Sequence, residues 1–138
     1  MSIIAKRRTV AQAGVTYQPT EEAEQAAIFE WATLMSSQFP ELHLLFHIPN
    51  GGYRAPATAA KLKAQGVKAG VSDLFLPVAR GGFHGLWIEL KRRKGGKLSP
   101  AQQDWLTEMR FQHYRAELAH GAEEACDIIY AYLTETEQ

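Results

Sequence analysis

Three side chains in one apolar stretch could do chemistry together. The segment SDLFLPVARGGFHGLWIELK runs from Ser72 to Lys91 and reads as two strands around a glycine turn. It carries Asp73 near its start, and Glu89 and Lys91 at its end. Side chains alternate along a strand, so Glu89 and Lys91 share one face, with Leu86, Ile88 and Leu90 on the other. If the two strands pair as a hairpin, Asp73 comes near Glu89. Two carboxylates about 4 Å apart repel by about 4 kcal/mol at an effective dielectric of about 20. A divalent cation is the natural compensation, and hard oxygen ligands suit Mg²⁺ or Mn²⁺. The carbonyl of Leu90 offers a third oxygen. Taken alone, a Glu-x-Lys spacing is also that of a plain ion pair on an edge strand, with Asp73 in a turn. The acid–hairpin–acid–x–lysine order, the basic surroundings and the glycine-rich lead-in together favour a site.

Several elements must position these groups. Residues 1–18 show no periodicity and read as an arm, with a weak basic patch in KRR. Thr20 can cap a helix whose first turn holds Glu21 and Glu22. That helix is expected to reach about Gln38, burying Ala27, Ile28, Trp31, Leu34 and Met35. Glu21 and Gln25, four apart, share a face. LHLLFHI reads as a strand ended by the turn signal PNGG. Pro56 suits the first turn of a short helix through ATAAKLKAQ, and Gly66 its end. After the two strands, RRKGGK reads as a flexible basic loop. Ser99, Pro100 and Gln102 then form a helix start in capping-box register. YRAELA reads as a strand and EEACDIIYAYL as a final helix. The order is helix, strand, helix, strand, strand, helix, strand, helix. It predicts one α/β (α+β) domain over residues 19–138, a mixed sheet flanked by helices.

Composition narrows the function. At 138 residues, with 46% hydrophobic residues, the chain suits one compact domain. A single cysteine, Cys126, excludes a disulfide framework and a cysteine-built zinc cluster. No window approaches eighteen apolar residues and MSIIAKRRTV is not a signal peptide, so no membrane partner and a cytoplasmic setting are expected. The net charge of zero hides a segregation. Arg54 to Lys97 holds ten basic residues against Asp73 and Glu89, a net +8, and the rest is −8. A positive region of that kind is the footprint of a polyanion partner.

HIPNGG, KLKAQGVKAGVSDLFLPV, GLWIELK and GGKLSPAQQDWL together resemble the stand-alone VRR-NUC nucleases of the PD-(D/E)XK superfamily, over roughly Glu21 to Leu133. The resemblance implies a restriction-endonuclease-like core with a four-stranded mixed sheet. It implies Asp73 as the motif aspartate, Glu89 and Lys91 as the Glu-x-Lys pair, and Glu21 as the acid of the first helix. Glu22 and Glu24 leave that register open. Gln25 and Gln102 match supporting positions. The residue before the aspartate is usually proline in the family; here it is Ser72, and every ligand position is kept. The implied activity is a Mg²⁺- or Mn²⁺-dependent deoxyribonuclease. Asp73, Glu89, the Leu90 carbonyl and Glu21 would hold metal, and Lys91 would position the attacking water or neutralise the scissile phosphate. Small stand-alone relatives look like homodimers acting on branched DNA such as four-way junctions, and occur in phage genomes; the setting would then be a bacterial host's cytoplasm. A flap or non-specific nuclease, and a catalytically silent DNA-binding module, are the rival readings.

Further candidates follow from charge and residue type. Arg54, Lys61, Lys68, Arg92, Arg93, Lys94 and Lys97 are the expected DNA contacts. PNGG with Tyr53 and Arg54 is either a phosphate-binding turn or a plain one. His43 and His47, four apart on an expected strand, make no zinc site; His47 and His84 are candidates for lining the cleft. Trp31 and Trp105 fit helical core positions. The final helix, rich in Ile128, Ile129, Tyr130, Tyr132 and Leu133, offers a candidate dimer surface.

Overall fold

The structure, a computed structural model, describes residues 18–50 and 53–135. The expected arm, residues 1–18, lies outside them apart from Gln18, whose Oε1 accepts the Lys94 N–H at 2.8 Å. Helix α1 spans Glu21–Met35, and Thr20 caps it by accepting from the Ala23 N–H. Strand β1 is Phe46–His47, helix α2 Pro56–Ala64, strand β2 Leu74–Leu76 and strand β3 Leu86–Lys91. Helix α3 covers Pro100–Phe111, strand β4 Arg115–His120 and helix α4 Ala122–Thr134.

The four strands lie in the order β1-β2-β3-β4. The first two pairings are antiparallel, and β3–β4 is parallel. A parallel pair needs a crossover, which α3 supplies. Pleating gives the sheet two faces. Leu74, Leu76, Leu86, Ile88 and Leu90 enter the main core with Ile28 and Trp31 of α1 and Ala125, Cys126 and Ile129 of α4. On the opposite face, Phe75 stacks on Trp87 at 4.1 Å and Trp87 meets Trp105 of α3 edge-on at 5.2 Å. Ser99 and Gln102 form the expected capping box at the start of α3. Among the described residues no helix is long and apolar enough to cross a membrane.

Four expectations are corrected. The LHLLFHI segment is not a full strand: a 3-10 turn runs over Pro40–Leu44 and only Phe46–His47 pair. Its two buried leucines, Leu42 and Leu45, are three apart, the repeat of a 3-10 turn rather than a strand. Helix α1 stops at Met35, three residues early: the Ser36 N–H turns to the Thr33 carbonyl, three residues back rather than four, and Gln38 likewise bonds back to Met35 in a tightened turn. Leu34 is half exposed, whereas Glu24 is buried in its helix. Finally, α4 turns most of its apolar side chains into the chain. Ile129, Tyr132 and Leu133 are buried and Ile128 packs against the core, while Tyr130 meets Phe39 edge-on and stays 37% exposed, so less of the helix is left for a partner than its composition suggests.

Candidate active site

Register brings the acids together. Leu74 pairs with Ile88 and Phe75 with Trp87, so continuing β2 backward places Asp73 beside Glu89. Asp73 is held on three sides. Its Oδ2 accepts the Leu90 N–H at 2.7 Å. Its carbonyl accepts the Ile48 N–H at 2.8 Å and meets His47 Nδ1 at 2.9 Å. These bonds tie β1, β2 and β3 at one end of the sheet.

Glu89 is 2% exposed, and its Oε1 has no hydrogen-bond partner among the described residues. Burial pushes its carboxyl up to about 9. The neighbouring Asp73 adds to this by hydrogen-bonding the neutral form and repelling the charged one; Glu21 repels it as well, and Lys91 pulls the other way. At neutral pH and without a cation, the Asp73–Glu89 pair therefore keeps a proton. The Lys91 stem is crossed by the basic loop. A Cβ on Gly96 would sit 2.8 Å from Lys91 Cβ, so only glycine lets the backbone pass there.

A cleft of about 320 Å³ opens beside Asp73, lined by Glu21, Glu22, Gln25, His47, Pro49, Asp73 and Leu90; Glu89 lies buried behind Asp73 and is not part of its lining. This orders the acids of the first helix. Glu21 and Glu22 face the cleft, and Glu24 does not. Glu24 instead takes the guanidinium fork of Arg93 through Nε and Nη2, both at 3.0 Å. Arg93, expected to contact DNA, has its fork on this buried carboxylate. The signal for Glu24 was present: with Ile28 and Trp31 it stands at i, i+4, i+7, on the buried stripe. Nothing local points to its partner 69 residues away.

The other candidates separate. Gln25 lines the cleft as expected. Gln102 does not; its Oε1 accepts from the Ser99 N–H at 2.9 Å. Lys61, Lys68, Arg92, Lys94 and Lys97 are exposed, and Arg54 is half-buried with Nη2 on the Pro49 carbonyl. His47 and Pro49 line the cleft. His84 lies away from it, against the rings of His113 and Tyr114. His43 meets the Pro40 carbonyl.

Among the described residues no three His, Cys, Asp or Glu side chains gather into a ready metal cage. The candidate centre is a carboxylate pair backed by the Leu90 backbone, with Glu21 on the cleft wall. Its donors are all hard oxygens, and one of them is buried without a partner. Both features fit Mg²⁺ or Mn²⁺.

Comparison with known proteins bears on the fold and the family. No curated protein matches the chain. A solved structure described as a VRR_NUC domain protein superposes with a TM-score of 0.76 at 30% identity, covering 88% of this chain and 94% of that one. The model of the VRR-NUC domain matches residues 8–123. That span contains the hairpin, its acids, the lysine and the capped helix after them, and the chain belongs to the VRR-NUC domain family.

Proposed function

We propose that this domain hydrolyses phosphodiester bonds in branched DNA with Mg²⁺ or Mn²⁺. The coarser part follows from the family: a nuclease-type domain that acts on DNA. One observation supports the metal-dependent reading above the others. Glu89 is buried beside a second carboxylate with an oxygen left over and its charged form strongly disfavoured. A carboxylate kept in that state is stable only with a cation or a proton.

Asp73, Glu89, the Leu90 carbonyl and Glu21 are the groups that would hold the ion. When bound, it supplies Lewis acidity toward water and the phosphate oxygens. The chain's own residues do the rest. The Leu90 N–H fixes the rotamer of Asp73. Lys91, on the strand face that carries Glu89, supplies positive charge at the scissile phosphate. Gln25 and His47 offer polar groups to the nucleotide in the cleft. Arg92, Lys94 and Lys97 contact the backbone from the basic loop.

One such site cuts one strand, and resolving a junction takes two symmetric cuts. A two-fold pair of chains supplies them. Its interface lies away from the buried face of α4. The test is incubation of the full chain with labelled junction, flap and duplex DNA, in Mn²⁺ or EDTA, with light scattering alongside. EDTA-sensitive cleavage of the junction by a dimer is expected. Cleavage that persists in EDTA overturns the metal reading. Binding without any cleavage leaves a silent DNA-binding module, and a monomer cutting only flaps overturns the junction reading.

A further inference from the structure

We infer that the groove between residues 48–50 and α2 is a second DNA contact surface, taking the phosphate backbone of the duplex arm that leads away from the cleavage site. The inference rests on the nuclease reading above and extends it to the path of the substrate.

The first observation is what α2 does not do. Surface helices normally bury an apolar stripe. Helix α2 has no fully buried residue; only Leu62 is partly buried, and the rest of the helix is exposed. Its surface is presented outward. The second observation is charge. From Arg54 to Ser72 there are four cations, Arg54, Lys61, Lys63 and Lys68, and no acid. Among the described residues none of the four forms an ion pair. Lys61 and Lys63 lie in the last turn of α2, where they complement the helix dipole. Arg54 and Lys68 lie outside the helix and have no such local reason.

The groove is nonetheless built. Arg54 Nη2 donates to the Pro49 carbonyl at 2.7 Å, and Asn50 Nδ2 to the Lys68 carbonyl at 2.6 Å. These bonds fasten the two walls to each other. Behind α2, Gly70 has φ +88°, and a Cβ there would lie 2.4 Å from the Ala101 carbonyl oxygen. Only glycine lets that loop seat on the start of α3. The resulting space, about 400 Å³, is lined by the apolar side chains of Leu62 and Val67 together with Arg54 and Lys68.

Its position decides the occupant. Pro49 lines both this groove and the acid cleft, so the two adjoin at that residue. A strand leaving the carboxylates over Pro49 enters a region with only positive side chains. Apolar and cationic lining match sugar and phosphate, which carry no sequence information.

The test compares the wild-type chain with Lys63→Gln/Lys68→Gln, which keeps the Arg54 bond, and with the two corresponding Lys→Arg changes. Binding to a labelled duplex and to a labelled single strand is measured in EDTA across a salt series. The log–log salt slope on duplex should fall by about 0.9 for each phosphate that no longer meets a cation, so by about 2 in the Gln variant, and stay at the wild-type value in the Arg variant. An unchanged slope in the Gln variant overturns the groove. A fall seen on single-stranded but not duplex DNA overturns the duplex assignment. Cleavage in Mn²⁺ is scored on the same preparations. Cleavage with an unchanged slope removes the groove and keeps the nuclease. A lowered slope in the Gln variant, with a wild-type chain that cuts nothing, keeps the groove and removes the nuclease.

Discussion

Two glutamates in this domain are equally buried and oppositely treated. Glu24 and Glu89 are each 2% exposed. Glu24 has a partner for both oxygens in the fork of Arg93. It also sits where α4 begins: a Cβ on Gly121, the residue before that helix, would lie 2.6 Å from Glu24 Oε2. A guanidinium fork and the start of a helix both turn hydrogen-bond donors and positive potential toward its oxygens. Glu89 has neither. Its neighbour is a second carboxylate, and one oxygen is unpartnered. Burying a carboxylate has to be offset by something. In Glu24 the fold provides the offset. In Glu89 it is left to a proton or to a ligand from outside, which is the mark of a site rather than of a scaffold.

The largest effect that tests this contrast is on catalysis. Asp73→Asn and Glu89→Gln should each lower single-turnover cleavage in Mn²⁺ by about 10³-fold or more, roughly 4 kcal/mol of barrier. Glu24→Gln should lose far less among the molecules that remain folded. If Glu24→Gln is as dead as Glu89→Gln while its circular dichroism and melting are native, the two acids do not differ in kind.

Next comes stability, where the order reverses. Removing one partner of a buried ion pair costs about 3–5 kcal/mol. Arg93 is 31% exposed, so Arg93→Ala should cost less, about 2–4 kcal/mol in urea unfolding. Removing both charges together, as Glu24→Met/Arg93→Met, should recover much of that loss. A loss under about 0.5 kcal/mol for Arg93→Ala would class the pair with ordinary surface bridges.

The contrast also explains which parts of the site were legible in the sequence. Asp73, Glu89 and Lys91 could be read because a strand's two-residue repeat and a glycine turn are local signals, and they fix who faces whom. The Ser99–Gln102 capping box is local too. Glu24–Arg93 joins the first helix to a loop 69 residues on, and only the folded chain makes them neighbours. The short β1 was obscured because Leu42 and Leu45 look like strand residues until their three-residue spacing is set against the 3-10 turn that Pro40 begins. For α4, composition showed an apolar excess and could not show that α1, β3 and β4 all draw on it.

A more gradual effect concerns pH. The Glu89 carboxyl ordinarily ionises near 4.5 and is pushed up to about 9 in the folded, metal-free protein. The unfolded chain therefore gives up this proton first. Stability from the group is fully present below about pH 4.5, falls as pH rises, and levels off above about 9. The slope cannot exceed about 1.4 kcal/mol per pH unit for one proton. Glu89→Gln should remove that slope, so that in EDTA the variant is more stable than wild type at pH 8 and nearly equal to it at pH 4.5. A variant less stable than wild type at pH 8 would mean that a partner holds Glu89 ionised.

The smallest effect asks whether an orphaned oxygen is enough to mark a site. Ser72, next to Asp73, is fully buried, and its Oγ has no partner among the described residues. By the orphan criterion alone it would rank with Glu89. Physics separates them: an unpaired buried hydroxyl costs about 1–3 kcal/mol and carries no charge for a cation to answer. Ser72→Ala deletes the oxygen and leaves the strand geometry alone. It should be neutral or stabilising by up to about 1 kcal/mol, since only part of the desolvation cost is regained. Cleavage should stay within about twofold, or 0.4 kcal/mol of barrier, because the bonds fixing Asp73 come from Leu90, Ile48 and His47. Urea melts and single-turnover rates decide it. A tenfold loss of cleavage in a fully stable Ser72→Ala would place the hydroxyl in the machinery, and the line between the two buried glutamates would then have to be drawn by unpartnered oxygen rather than by uncompensated charge.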